Sequence, residues 1–308
     1  MDSADLELFE RSLRHATERH TGSELDAALT ELGWSEALLE DRRAAVSILF
    51  ELQGRANATS SAVCTLLTTT PGADAVLPAL GSCTPPGELN GDRVAVRGLA
   101  VGLRGAELLV VARKGDKDVV VAVPATELTA RPVEGVDPEL GLAEITGTGA
   151  AVEVGPADWS ASVATCQLAL GHELVGASRR MLELAREHAL ERIQFGRPIA
   201  AFQAVRHRLA ETLVAIETAD AMLDGAWLDQ SPQSAAMAKA VAGRGARTAS
   251  RHCQQVLAGI GFTTEHPLHR YIRRVLVLDE LFGSARTLTK DLGTELLRTR
   301  KLPPLLPL

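Results

Sequence analysis

The 308-residue sequence is short of cysteine, aromatic residues and basic excess, and each shortage excludes something. Its four cysteines, Cys64, Cys83, Cys166 and Cys253, lie far apart and never as a C-x-x-C pair. That spacing excludes a thiolate metal cluster and fits buried thiols in a reducing compartment. Aromatic residues make up 3% of the chain, with a single Tyr271, so its cores must be built from Ala, Leu and Val at close helix spacing. Lys plus Arg (32) fall below Asp plus Glu (39), and a net charge of -7 leaves no chain-wide electrostatic footprint for nucleic acid. No apolar run reaches the roughly eighteen residues of a membrane span. The richest stretch, Glu107 to Pro124, is interrupted by charged residues from Arg113 to Asp118. The opening Met1-Asp2-Ser3-Ala4-Asp5 has neither the basic nor the apolar region of a signal peptide, so a cytoplasmic location is expected.

What is present divides the chain into three. Leu6, Phe9 and Leu13, then Leu25, Ala28, Leu29 and Leu32, then Val46, Leu49 and Leu52 recur at helical spacing, predicting a small helical domain over 1–82. Breakers from Pro78 to Gly87 end that period. Residues 83–158 form a small β domain, with predicted strands over Arg93 to Arg97, Glu107 to Arg113, Asp118 to Val123 and Ala151 to Val154. Asn90-Gly91 and Lys114-Gly115-Asp116 read as turns. These connections are too short for parallel crossovers, so a doubly wound nucleotide-binding sheet is not supported. Residues 159–308 are predicted helical, with one stripe from Leu174 to Ala189, a second from Val205 to Trp227, a third helix from about Ser234 to Leu257 and a fourth from Leu268 to Arg300. The fold class is mainly α with a small β domain, ending in a four-helix bundle.

Two segments carry chemistry. Arg192-Ile193-Gln194-Phe195-Gly196-Arg197-Pro198-Ile199, followed by Phe202-Gln203-Ala204-Val205-Arg206-His207, places an arginine at a helix end and a glutamine at the next helix start. Such a turn offers guanidinium and amide donors to an anion; on pattern alone a helix connection with solvated arginines is favoured. The second runs from Gln254 through Gly259-Ile260-Gly261-Phe262 to Pro267, where glycines let backbone amides approach a phosphate, or simply cap a helix.

Together these segments resemble the acyl-CoA dehydrogenase family, which carries R-x-x-F-G-x-x-I-x-x-F-Q before one bundle helix and Q-x-x-G-G-x-G-F-x-x-E-x-P after another. The likeness extends from about Gln167 to Leu297, and more loosely to Leu89-Asn90-Gly91-Asp92-Arg93-Val94, similar to the family's L-N-G-x-K strand entry. The resemblance implies a short N-terminal helical domain, a reduced middle β-barrel and the bundle. It also implies FAD between subunits, an acyl-CoA substrate that loses an α-proton and a β-hydride, and electron-transfer flavoprotein as a partner. On it, Arg192, Gln194 and Phe195 meet the diphosphate and adenosine part of an FAD held mainly by a neighbouring subunit, with Gln203 in the same turn. Gln255 and Gly259 approach that diphosphate from the second motif, where Ala258 replaces the first glycine of the usual pair.

The departures point further. Ungapped counting from Phe262 sets Phe282-Gly283-Ser284-Ala285 on the family's E-G-T-S, so Phe282 occupies the position of the proton-abstracting glutamate. A phenyl ring accepts no proton. Relatives with that glutamate on the first bundle helix would place it near Cys166. No catalytic residue is therefore expected in this chain, with Glu280 as the alternative if the backbone were re-registered. The family's T-E-P-x-x-G-S-D loop is largely replaced by Gly81 to Gly87, and its W-I-T strand by Ala95-Val96-Arg97. His266 and His269 read as surface or helix-start residues and no metal is expected. Arg270, Arg273 and Arg274 read as a basic face, at an interface or solvated. Asn57-Ala58-Thr59 is a silent sequon and Gly102-Leu103-Arg104-Gly105 lacks the context of a phosphate loop. The pattern is similar to the degenerate β-type subunit of heteromeric actinobacterial acyl-CoA dehydrogenases. An α-type partner would supply the glutamate for α,β-dehydrogenation of an acyl-CoA, a steroid side chain or other bulky thioester. A flavin-free scaffold and a self-sufficient homomeric enzyme using Glu280 stand as alternatives.

Overall fold

The computed structural model describes residues 3–68 and 74–300. Five helices open the chain: α1 (Ser3–Arg19), α2 (Ser23–Glu31), α3 (Trp34–Glu40), α4 (Arg42–Ala56) and α5 (Ala62–Thr68). Asp41 starts α4 by accepting a 3.0 Å hydrogen bond from the Ala44 amide, an N-cap.

Eight strands follow in one sheet: β1 (Leu77–Pro78), β2 (Gly87–Asn90), β3 (Arg93–Val101), β4 (Glu107–Lys114), β5 (Lys117–Pro124), β6 (Leu128–Pro132), β7 (Leu142–Ala150) and β8 (Val152–Pro156). Their order is β6-β7-β3-β2-β4-β5-β8, with β1 paired to β3; in place of the expected reduced barrel, the strands form one sheet whose end strands β6 and β8 are not paired with each other. Both predicted hairpin turns occur, with Gly91 at φ 65° and Gly115 at φ 62°, conformations that favour glycine. One short pair, β2 with β4, is parallel, against the expectation of antiparallel neighbours throughout. The hairpin between them makes it possible without a helical crossover. Sequence reasoning passed over β6 and β7, because their exposed Thr, Gly and Arg positions give no apolar alternation. Yet β7 pairs with all of β3.

The rest is helical: α6 (Trp159–Glu191), a small hairpin of β9 (Ile193–Gln194) and β10 (Arg197–Pro198), then α7 (Gln203–Asp229), α8 (Pro232–Leu257), α9 (Leu268–Glu280) and α10 (Ala285–Thr299). Asp158 caps α6 and Ser231 caps α8, with Pro232 at its first turn. The single helix expected from Leu268 to Arg300 is in fact two. Phe282 (φ 54°) and Gly283 (φ 89°) turn the chain, and Ser284 caps α10 by accepting from the Thr287 amide.

Small residues bring the helices together. A Cβ on Gly54 would stand 2.0 Å from the Glu173 carbonyl oxygen, and one on Gly176 would stand 2.0 Å from that of Glu51. Helices α4 and α6 therefore cross backbone to backbone, joining the N-terminal helices to the bundle. One continuous core runs through both, including Leu49, Phe50, Leu174 and Met181, while a second core (Val94, Val110, Val121, Ile145) lies within the sheet.

Candidate functional site

Arg192 caps the C-terminus of helix α6, and its carbonyl accepts from the Ile199 amide at 2.8 Å, closing the β9–β10 hairpin. Phe195 (φ 54°) and Gly196 (φ 77°) form its tip. Arg192, Gln194 and Gln203 are exposed, and Phe195 is 91% exposed. Phe195 meets the Phe202 ring edge-on at 6.0 Å, and the Arg197 guanidinium lies 4.4 Å from the Phe202 ring centre. The hairpin is thus held by its own aromatic and cationic contacts, leaving the Arg192 and Gln194 donors free to face outward.

Helix α8 runs beside α6, with Ser250 Oγ 3.7 Å from Met181 Sδ, and their C-termini lie at one end of the bundle. Gln255 is exposed on the last turn of α8. Ala258 follows at φ 53°, ψ -131°, a region that suits glycine and strains a residue with a Cβ. Gly259 stands open, since a Cβ there would meet nothing within 4 Å, whereas one on Gly261 would meet Leu257 at 2.9 Å. The structure brings the two motifs to the same end of the bundle but encloses neither. A diphosphate fits such outward amide and guanidinium donors, provided that another chain covers it.

The two positions that the sequence comparison sets against a base, Phe282 and Cys166, are closed. Phe282 is 1% exposed and Cys166 0%, both inside the main core. The corner is tied down around them. Gln167 Nε2 donates to the Phe282 carbonyl at 3.0 Å, and Cys83 Sγ donates to the same oxygen at 3.1 Å. Lys239, fully buried, donates to the carbonyls of Asp279 (2.9 Å) and Gly283 (2.7 Å). Burial pulls its ammonium down to about 8, against the attraction of Asp279. Asp279, also buried, accepts from Arg247 Nε at 2.8 Å and from the Ala285 amide at 3.0 Å. Glu280 is turned away: its carboxylate lies 3.6 Å from Arg247 and its carbonyl accepts from the Gly81 amide. Sequence reasoning missed Lys239, Gln167 and Asp279. One signal was available, a lysine interrupting the alanine stripe of Ala235, Ala238 and Ala242.

Next to this corner, an open cleft of about 750 Å3 is lined by Ser82, Thr84, Pro85, Gly87, Ala95 and Arg97. It occupies the altered loop and strand noted in the sequence. His266 Nδ1 accepts from the Leu268 amide at 3.2 Å, a helix-start contact. Of the three arginines read as a basic face, Arg270 and Arg273 are exposed, but Arg274 is fully buried, because carboxyl and carbonyl partners from distant segments converge on it. Glu51, His172 and Asp220 also cluster, within 4.8 Å of one another. Arg179 already binds both carboxylates, at 2.6 and 2.7 Å. His172 Nε2 accepts from Trp227 Nε1 at 3.0 Å, which leaves the imidazole proton on Nδ1. That donor set suits an arginine clamp and not a metal.

Residues 165–297 match the acyl-CoA dehydrogenase C-terminal domain family, nearly the stretch over which the motifs were read. Over that stretch the chain is similar to acyl-CoA dehydrogenases. Curated relatives include acyl-CoA dehydrogenase IpdE2 of Mycobacterium tuberculosis, 35% identical over 58% of this chain and 57% of that protein. Another is acyl-CoA dehydrogenase FadE34 of the same organism, 33% identical over 54% of this chain and 24% of that one. These matches span little more than half of IpdE2 and less of FadE34. Among solved structures, the ChsE4-ChsE5 complex from Mycobacterium tuberculosis is similar over 99% of both chains, with a TM-score of 0.80 and 19% identity. A Tcur3481-Tcur3483 steroid ACAD variant gives a TM-score of 0.80 at 22% identity, covering 96% of this chain and 99% of that one. The acyl-CoA dehydrogenase fold thus extends over the whole described chain. No helix among the described residues is long and apolar enough to cross a membrane.

Proposed function

We propose that this chain is the non-catalytic, β-type subunit of a heteromeric flavin-dependent acyl-CoA dehydrogenase. The observation that carries this reading is the closure of both base positions: Phe282 and Cys166 bear no carboxyl group and are buried in the core. General-base catalysis needs an acceptor within reach of the substrate proton. In this reading an α-type partner supplies the glutamate and the acyl pocket. Bound FAD would supply the hydride acceptor. Arg192, Gln194, Phe195 and Gln203 from one turn, with Gln255 and Gly259 from the other, bind and orient its diphosphate and adenosine half from outside the partner. The printed name of one structural neighbour, a steroid ACAD, supports a bulky thioester substrate such as a steroid acyl-CoA. Electron-transfer flavoprotein is the proposed electron acceptor, on the family resemblance alone, and the cytoplasm the proposed site of action.

Co-expression with a homologue that retains the glutamate tests the reading. A stable yellow complex is expected, with flavin content lowered by Arg192→Ala; two separate colourless or monodisperse proteins would sink it. A flavin-free scaffold is favoured by one observation, the methyl of Ala258 in a glycine conformation at the phosphate-facing turn. Flavin content unchanged by Arg192→Ala supports the scaffold. A self-sufficient enzyme using Glu280 requires dye-coupled turnover by the isolated chain, lost in Glu280→Gln.

A further inference from the structure

The fully buried Arg274 on α9 holds three parts of the chain. Its Nε donates to Asp137 at 2.6 Å, and its terminal nitrogens donate to the Ala58 carbonyl at 2.8 Å and to Thr59 Oγ1 at 3.0 Å. A second carboxylate, Glu173 of α6, stands 3.7 Å from the same guanidinium. Side-chain exposures of 1% for Arg274, 4% for Asp137 and 5% for Glu173 shut all three from water. Asp137 belongs to the β6–β7 connection, whose Glu139 also pairs with Arg270 at 3.0 Å.

The charges on neighbouring elements do not relieve this surplus. On α4, Glu51 is paired with Arg179 and Arg55 with Glu183; on α9, Arg270 is engaged by Glu139. Two carboxylates therefore share one cation in a site that water does not reach. Two negative charges and one positive charge buried together leave an uncompensated charge, which proteins remove by protonation. We propose that Asp137 and Glu173 compete for Arg274, so that docking of the β6–β7 connection (133–141) onto the bundle is coupled to uptake of a proton by Glu173. Burial supports the direction, raising the Glu173 carboxyl to about 7 against the pull of Arg274. When Glu173 is ionised it draws on Arg274 and weakens the hold on Asp137; when protonated it yields the guanidinium. The latch is independent of whether the chain handles flavin.

Hydrogen exchange on the full chain tests it. The protection factor of amides in 133–141 is expected to fall at least about threefold from pH 5.5 to 8.5, as linkage requires when the docked form binds the extra proton. Glu173→Gln, which carries no proton to lose, is expected to keep the connection protected at both pH values. Should that variant fail to fold, Asp137→Asn serves, since without a competitor Glu173 keeps Arg274 and the pH step disappears. A wild-type connection equally protected at both pH values, or a step of unchanged size in either variant, overturns the proposal.

Discussion

Gln167 on the first bundle helix and Phe282 at the α9–α10 corner are joined by a 3.0 Å hydrogen bond from the glutamine amide to the phenylalanine carbonyl. The two segments against which the sequence comparison sets a proton acceptor are instead fastened to one another. Replacing Phe282 with glutamate is therefore expected to disrupt the core before it restores any chemistry. An unpaired buried carboxylate and lost packing should cost about 3–5 kcal/mol. Thermal unfolding of Phe282→Glu checks the loss, and dehydrogenation by that variant alone would contradict it.

Lys239→Met keeps the volume but abandons the Asp279 and Gly283 carbonyls, and should cost about 2–4 kcal/mol in denaturant titrations. The wild-type lysine has its ammonium pulled down by burial to about 8 from 10.5, so the unfolded chain binds more protons between those values. Its contribution to stability therefore rises with pH across that window and is lost as pH falls through about 8. The methionine variant should lack this rise.

For Glu173 the sign is opposite. Its carboxyl is raised to about 7 from 4.5, so the folded chain binds more protons than the unfolded one between those values, and stability falls as pH rises through them. Glu173→Gln should flatten that fall, worth up to about 3 kcal/mol. Unfolding curves at pH 5 and pH 8 provide the measurement.

Ala258→Gly relieves a backbone conformation unsuited to a Cβ and should stabilise the chain by about 1 kcal/mol. A lower melting temperature in this variant would show that the methyl makes contacts which outweigh the strain.

The bundle was legible in the sequence because its stripes of Leu, Val and Ala recur at helical spacing and its starts are marked by Asp158 and Ser231 with Pro232. The two glycine-bearing turns were legible for the same reason, as breaks in strong periodicity. Strands β6 and β7 were hidden, since a strand with Thr, Gly and Arg on its exposed side lacks the alternation that announces one. The α9–α10 corner was also hidden: Leu281 and Phe282 continue the apolar pattern, and only the left-handed backbone at Phe282 and Gly283 breaks the helix. Arg274 misled by type, because the partners that neutralise it lie 137 and 216 residues away in the chain.

The backbone contact at Gly54 and Gly176 settles how the amino-terminal helices behave mechanically. With no space between α4 and α6 for even one methyl group, neither helix has clearance to slide or roll on the other. These helices are a fixed wall of the bundle, and trimming them away would strip the apolar flank of α6 rather than release a smaller working unit.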